Sequence, residues 1–273
     1  RLVRAGDVTG RTPLHWAAAR LWPKLAQWLL DHGADPTARA RDGSTPLDVI
    51  GDQRELSPPT ETRRLIKAIT DRLLEHGAAN SARAAIAGGD AVSLRALHDD
   101  GLLRDGGGLI GHAVAVNGPD MLTLLLEFGL DPDESGCVDG LEEVVATWGG
   151  PVRACAMSGN VLIAEILLKH GANANTNVYA ATSALFEAYK RRDERMIALL
   201  EQHGGRLNPV GAAALGLVDQ AARWVADDAR ALGAAAGKEE AAVAWELLWG
   251  AIESPSPEIV ELVLRQVHWP ADD

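Results

Sequence analysis

Cysteine is almost absent: Cys137 and Cys155 are the only two in 273 residues. Two thiols outside any CxxC pair are too few for a disulfide framework or a cysteine-rich zinc site, which fits a reducing, cytosolic setting. Tyrosine and phenylalanine are as scarce, two of each, against eight tryptophans. Long apolar runs are missing. Stretches such as VLIAEILL at 161–168 are broken by charge and fall far short of the roughly 20 residues that span a bilayer. Positive charge is in deficit, with 26 Lys and Arg against 38 Asp and Glu and a net charge of −12. That balance argues against a nucleic-acid or membrane partner, since phosphate backbones and anionic bilayers are both held by clustered Lys and Arg. No Met opens the chain and no signal-like apolar stretch follows Arg1. A processed start or a piece of a longer protein is expected.

What is present is ample material for a packed interior, 47% hydrophobic and 23% charged residues, outside the disordered range. It is arranged periodically. The tripeptide HGA at 32–34 returns at 76–78 and 170–172, and as HGG at 203–205, each time closing an apolar run. GRTPL at 10–14 recurs as GSTPL at 43–47, a step of 33, and Gly171 and Gly204 are again 33 apart. A fixed period of this size marks a solenoid. Within one unit, Thr12 is suited to an N-cap and Pro13 to the first helical position, where its missing N–H is not needed. A short helix over 13–20 and a second from Pro23 to His32 follow, closed by Gly33 in a left-handed conformation. Leu25, Ala26, Leu29 and Leu30 give the second helix one apolar side, which a two-helix unit alone cannot bury.

The strings TPLHWA (12–17) and LLDHGADP (29–36), with the 33-residue step, resemble the ankyrin repeat family. The resemblance implies an all-α fold: an ankyrin-type α-solenoid of about eight stacked, partly degenerate helix-turn-helix repeats over residues 1–273. Clear repeats are placed at 10–50 and 149–205, degenerate ones at 84–133 and 208–270. It further implies that His15, in the TPLH position, links turns rather than reacts. Function follows as a protein-protein interaction module or scaffold that presents a curved concave face to a protein partner.

Glycine spacing exposes departures from the period. Gly33 to Gly77 spans 44 residues and Gly129 to Gly171 spans 42, so loop insertions are placed at 51–61 and 131–150. Gly77 to Gly101 and Gly101 to Gly129 span only 24 and 28, too few for a full projecting turn. Insertions in repeat proteins often gather on the binding face.

Four of the eight histidines, His32, His76, His170 and His203, precede a helix-ending glycine and share one architectural role. Candidate partner-binding residues, taken from turn and first-helix positions, are Arg11, Arg20, Trp22, Met157, Ser158, Thr182, Lys190 and Arg191. Trp28, Trp224 and Trp245 fall in apolar helix patterns and are expected in the core. From Asp105 to Val152 there are nine acidic residues and no Lys or Arg. Inside this stretch DPDESGCVDGLE fits a calcium loop, with Asp131, Asp133, Ser135, Asp139 and Glu142 as ligands. The alternative to a binding module is therefore an enzyme, a hydrolase or lyase using His112 and Asp120, or a calcium protein, built in the irregular region 105–150. No GxSxG, phosphate loop or HExxH supports catalysis. Richness in Ala, Arg, Gly and Asp suggests a bacterial source.

Overall fold

The computed structural model describes residues 2–50, 59–103, 108–134, 150–176, 183–231, 239–254 and 257–266. Among them the regular structure is helical, with fifteen α-helices and no strand. The chain divides into two compact units, Arg1–Thr147 and Trp148–Asp273.

The first unit holds α1 (Pro13–Ala19), α2 (Pro23–Asp31), α3 (Pro59–Glu75), α4 (Ala82–Gly88), α5 (Ala91–Asp99), α6 (Leu109–Ala115) and α7 (Pro119–Glu127). Helices pack within pairs, α1 on α2, α4 on α5 and α6 on α7, and between pairs, α2 on α3 and α4 on α6. Leu14, Leu47, Ile50, Ile69 and Leu73 are fully buried between them, each contributing about 2 kcal/mol of apolar burial. The second unit holds α8 (Pro151–Ser158), α9 (Val161–Lys169), α10 (Ala184–Arg191), α11 (Glu194–Gln202), α12 (Pro209–Ala214), α13 (Val218–Ala231), α14 (Glu239–Glu253) and α15 (Pro257–Gln266). Here α8 packs on α9 and α10, α9 on α11, α12 on α13 and α14, and α13 on α15.

The glycine signal works as expected. Gly33 has φ +80; its N–H donates to Leu30 O at 3.0 Å while Ala34 N donates to Leu29 O at 2.9 Å. This paired closure satisfies two orphan carbonyls of α2. It recurs at Gly77, Gly101, Gly129, Gly171 and Gly204. Projecting turns precede the first two units. One closes from Gly10 N to Asp7 O, the next from Gly43 N to Ala40 O, and Arg41 N donates to Thr9 O at 2.9 Å to join them. After Gly77 that turn is missing: Ser81 caps α4 four residues later, which accounts for the shortened step.

Two boundaries differ from the sequence expectation. The second TPL does not start a helix: residues 46–50 form consecutive turns. β-Branched Val49 and Ile50 and then Gly51 are poor helix formers. The insertion placed at 51–61 ends sooner, because Pro59, at a first helical position, already opens α3. Residues 51–58 lie outside the described residues.

Candidate functional site

The third residue of each first helix links neighbouring pairs, and its chemistry changes from pair to pair. In α1, Thr12 N donates to His15 Nδ1 at 3.1 Å. Nδ1 is thus an acceptor, so the ring proton sits on Nε2, which donates to Ser44 O at 3.1 Å. Burial pushes the His15 pKa down and keeps the ring neutral. Asp48 stands 33 residues on. Its Oδ2 accepts from Thr45 N at 2.9 Å and Thr45 Oγ1 at 2.8 Å, and its Oδ1 accepts from Ser81 Oγ at 2.6 Å. In α8 the same place holds Arg153, buried, and ion-paired with Glu187 of α10 at 2.7 Å. At α6 the capping residue is Gly108, which has no side chain to offer. Buried Glu134 supplies the cap, accepting from Gly108 N at 2.7 Å and Ile110 N at 2.8 Å. Asp48, Ser81, Glu134, Arg153 and Glu187 were not found from the sequence; for Asp48 and Ser81 the 33-residue step from His15 is the signal that could have found them.

His112 belongs to this system of links. It is buried one position later along α6 than His15 is along α1, and its Nε2 donates to Arg83 O of α4 at 3.1 Å. Asp120 is exposed at the start of α7. It lines a pocket of about 90 Å³ with Arg63, Gly88, Gly89, Gly118 and Met121, and His112 is not among the lining residues. The two residues named for catalysis are therefore not brought together in one pocket. Of the calcium set, Asp131 accepts from Asp133 N at 2.9 Å, the turn that Asp35 makes with Thr37 and Asn173 with Asn175 in other units. Ser135, Asp139 and Glu142 lie outside the described residues. Among the described residues no three His, Cys, Asp or Glu side chains group as metal ligands.

The partner-binding set falls into two patches, one in each unit. In the first unit Asp7 Oδ2 accepts from Trp16 Nε1 at 2.9 Å and Oδ1 from Thr9 N and Oγ1. These bonds, led by that from the Thr9 hydroxyl, hold the Asp7 pKa down to about 2. The anchored Trp16 carries Arg11 5.8 Å and Arg20 5.9 Å from its ring centroid, and Arg20 also lies 5.3 Å from that of Trp22. Arg11 pairs with Asp42 at 3.7 Å; Arg20 forms no ion pair among the described residues. Trp22 is 43% exposed. In the second unit Met157 is exposed and Ser158 Oγ donates to Ala154 O at 2.9 Å. A Cβ built on Gly159 would lie 3.1 Å from an Arg191 guanidinium nitrogen, so the end of α10 borders the end of α8. Lys190 and Arg191 are exposed there. Thr182 lies outside the described residues.

The four glycine-preceding histidines are architectural. Nδ1–H of His32, His76, His170 and His203 donates to the carbonyl four residues earlier, at 2.7 to 2.9 Å. Two tryptophan expectations fail: Trp28 is 50% and Trp245 63% exposed. Trp28 stacks on His32 instead, 3.9 Å between centroids. Trp224 is half-buried, its Nε1–H donating to Leu207 O at 3.0 Å. Burial drives the Cys155 thiol up to about 12 and leaves it inert.

The ankyrin repeat family model matches residues 9–41. The BTB/POZ domain and ankyrin repeat-containing protein NOOT1 of Medicago truncatula is 55% identical over 42 residues, 15% of this chain and 9% of that protein. A protein of the same description, NH5.1 of Oryza sativa subsp. japonica, is 55% identical over 47 residues, 17% of this chain and 9% of its own length. The match thus spans under a tenth of these relatives, and their plant source does not fit the bacterial origin suggested by composition. Among solved structures, the ankyrin repeat domain of human ASB11 is 22% identical, covering 75% of this chain and 88% of that chain, with a TM-score of 0.45. With a family match at 9–41, and glycine-closed helix pairs recurring in both compact units, the chain is an ankyrin-repeat protein.

Proposed function

We propose that this protein works as an interaction module or scaffold, and that turn and first-helix side chains of each unit make the contact. Ankyrin repeats are protein-protein interaction modules, and a stack whose ordering is completed on folding loses little entropy when a partner docks. One observation carries the choice of surface: Arg20, without a carboxylate partner among the described residues, lies between the rings of Trp16 and the exposed Trp22. Trp and Arg are the residues most enriched at binding hot spots. Met157, Ser158, Lys190 and Arg191 offer a second patch, apolar and basic, at the ends of α8 and α10. No described helix is long and apolar enough to cross a membrane.

The test is affinity capture from the native host with full-length protein beside two folded variants, Arg20→Glu/Trp22→Ala and Lys190→Glu/Arg191→Glu. A partner held by the parent and lost from either variant, then rebuilt from purified components at 1:1 stoichiometry, supports the reading. Capture that neither variant alters overturns the assignment of these faces.

A further inference from the structure

We infer that the cleft between α11 and α13 is a binding site for a peptide carboxylate carried next to an apolar side chain. Second helices elsewhere in this unit close on each other, α9 on α11 and α13 on α15. Between α11 and α13 two open volumes remain, about 460 and about 590 Å³, both lined by Glu201, Gln220 and Arg223. Each is within the size range of ligand pockets.

The inner volume combines an apolar floor with uncompensated positive charge. Leu185 and Leu207 are buried beneath it, and the Trp224 indole is fixed beside them by its bond to Leu207 O. One wall is a polar chain: Gln220 Nε2 donates to Tyr189 Oη at 3.0 Å, and Tyr189 Oη–H donates to Glu201 Oε1 at 2.9 Å. Glu201, the one carboxylate among the lining residues of the inner volume, is thereby engaged. Arg206 and Arg223 line the same volume, are exposed, and make no side-chain hydrogen bond or ion pair among the described residues. The loop that carries Arg206 is held in advance: Arg206 N donates to Asn175 Oδ1 at 2.8 Å, and Asn175 Nδ2 donates to Gly204 O at 2.9 Å. Two guanidinium groups over a hydrophobic floor, in a chain of net charge −12, select a carboxylate that brings apolar surface with it. Asp219 lines only the outer volume, so the anionic group belongs in the inner one.

The experiment is a titration of the full chain followed by the Trp224 indole N–H resonance, assigned through Trp224→Phe. Three probes are used: N-acetylphenylalanine for a terminal carboxylate, N-acetyl-Glu-Phe-amide for a side-chain carboxylate, and N-acetylphenylalaninamide as the uncharged control. At least one acid should shift the resonance saturably, the control should not, and Arg206→Gln or Arg223→Gln should each weaken binding about tenfold. Which acid binds tells a chain terminus from an internal Asp or Glu. Arg20→Glu should bind as the parent does, which keeps this site distinct from the turn and first-helix faces. No shift with either acid, equal binding of the control, or unchanged affinity in both arginine variants overturns the assignment.

Discussion

His15 is a proton-sensitive fastener. Its Nδ1 accepts from Thr12 and its Nε2–H reaches Ser44, so both ring nitrogens are committed in the neutral form. The folded-state pKa lies below the ordinary value of 6.5, so the folded chain resists taking up the proton that the unfolded chain accepts. Its contribution to stability is complete above pH 6.5 and is lost as pH falls through the folded-state pKa. Hydrogen exchange of residues 12–30 should therefore accelerate on acidification below pH 6.5, and His15→Leu should remove that dependence while lowering protection at neutral pH. Arg153 and Glu187 make the same kind of link from charge, their side chains 10% and 13% exposed. Removing one buried partner strands the other, so Glu187→Gln should cost about 3 kcal/mol in urea unfolding. The double change Arg153→Met/Glu187→Leu should recover most of that loss, because two apolar groups leave no stranded charge. A sequence shows His, Asp and Arg at these places without showing that they share a task. The common feature is the contact made to the next pair, and only folding brings that contact about.

At the scale of the helix, ends were more legible than beginnings. Gly33, Gly77, Gly171 and Gly204 could be read as terminators because an L-residue disfavours positive φ, a local rule that needs no knowledge of neighbours. The second TPL misled for the opposite reason: an N-terminal signal does not make a helix when Val49, Ile50 and Gly51 follow it. Two substitutions separate local from packing costs. A Cβ at Gly171 meets nothing within 4 Å, so Gly171→Ala should cost only the left-handed backbone penalty, about 1 kcal/mol. Gly205 has no positive φ, yet its Cβ would sit 2.8 Å from Leu200 O. Gly205→Ala should cost about 2–3 kcal/mol, and thermal unfolding of the two variants should rank them in that order.

The molecule as a whole is two compact units, each built of helix pairs that touch chiefly their neighbours. The period of 33 made the architecture readable because stacking is the only way such a pair can bury its apolar side. Surface chemistry was less readable: Arg20 and Trp22 were found, whereas the opening between α11 and α13 has no sequence mark, because it arises from contacts that are not made. Nearest-neighbour construction also fixes how damage spreads. Leu167 is fully buried in α9, which packs on α8 and α11. Leu167→Ala should remove about 3 kcal/mol of stability, and its reach along the second unit is the informative quantity. If stability is a sum of pair and interface terms, exchange protection should fall most in α8, α9 and α11, less in α12 and α13, and least in α14 and α15. An equal fall in all eight helices would mean that the second unit unfolds as one block, with a single core rather than a series of interfaces.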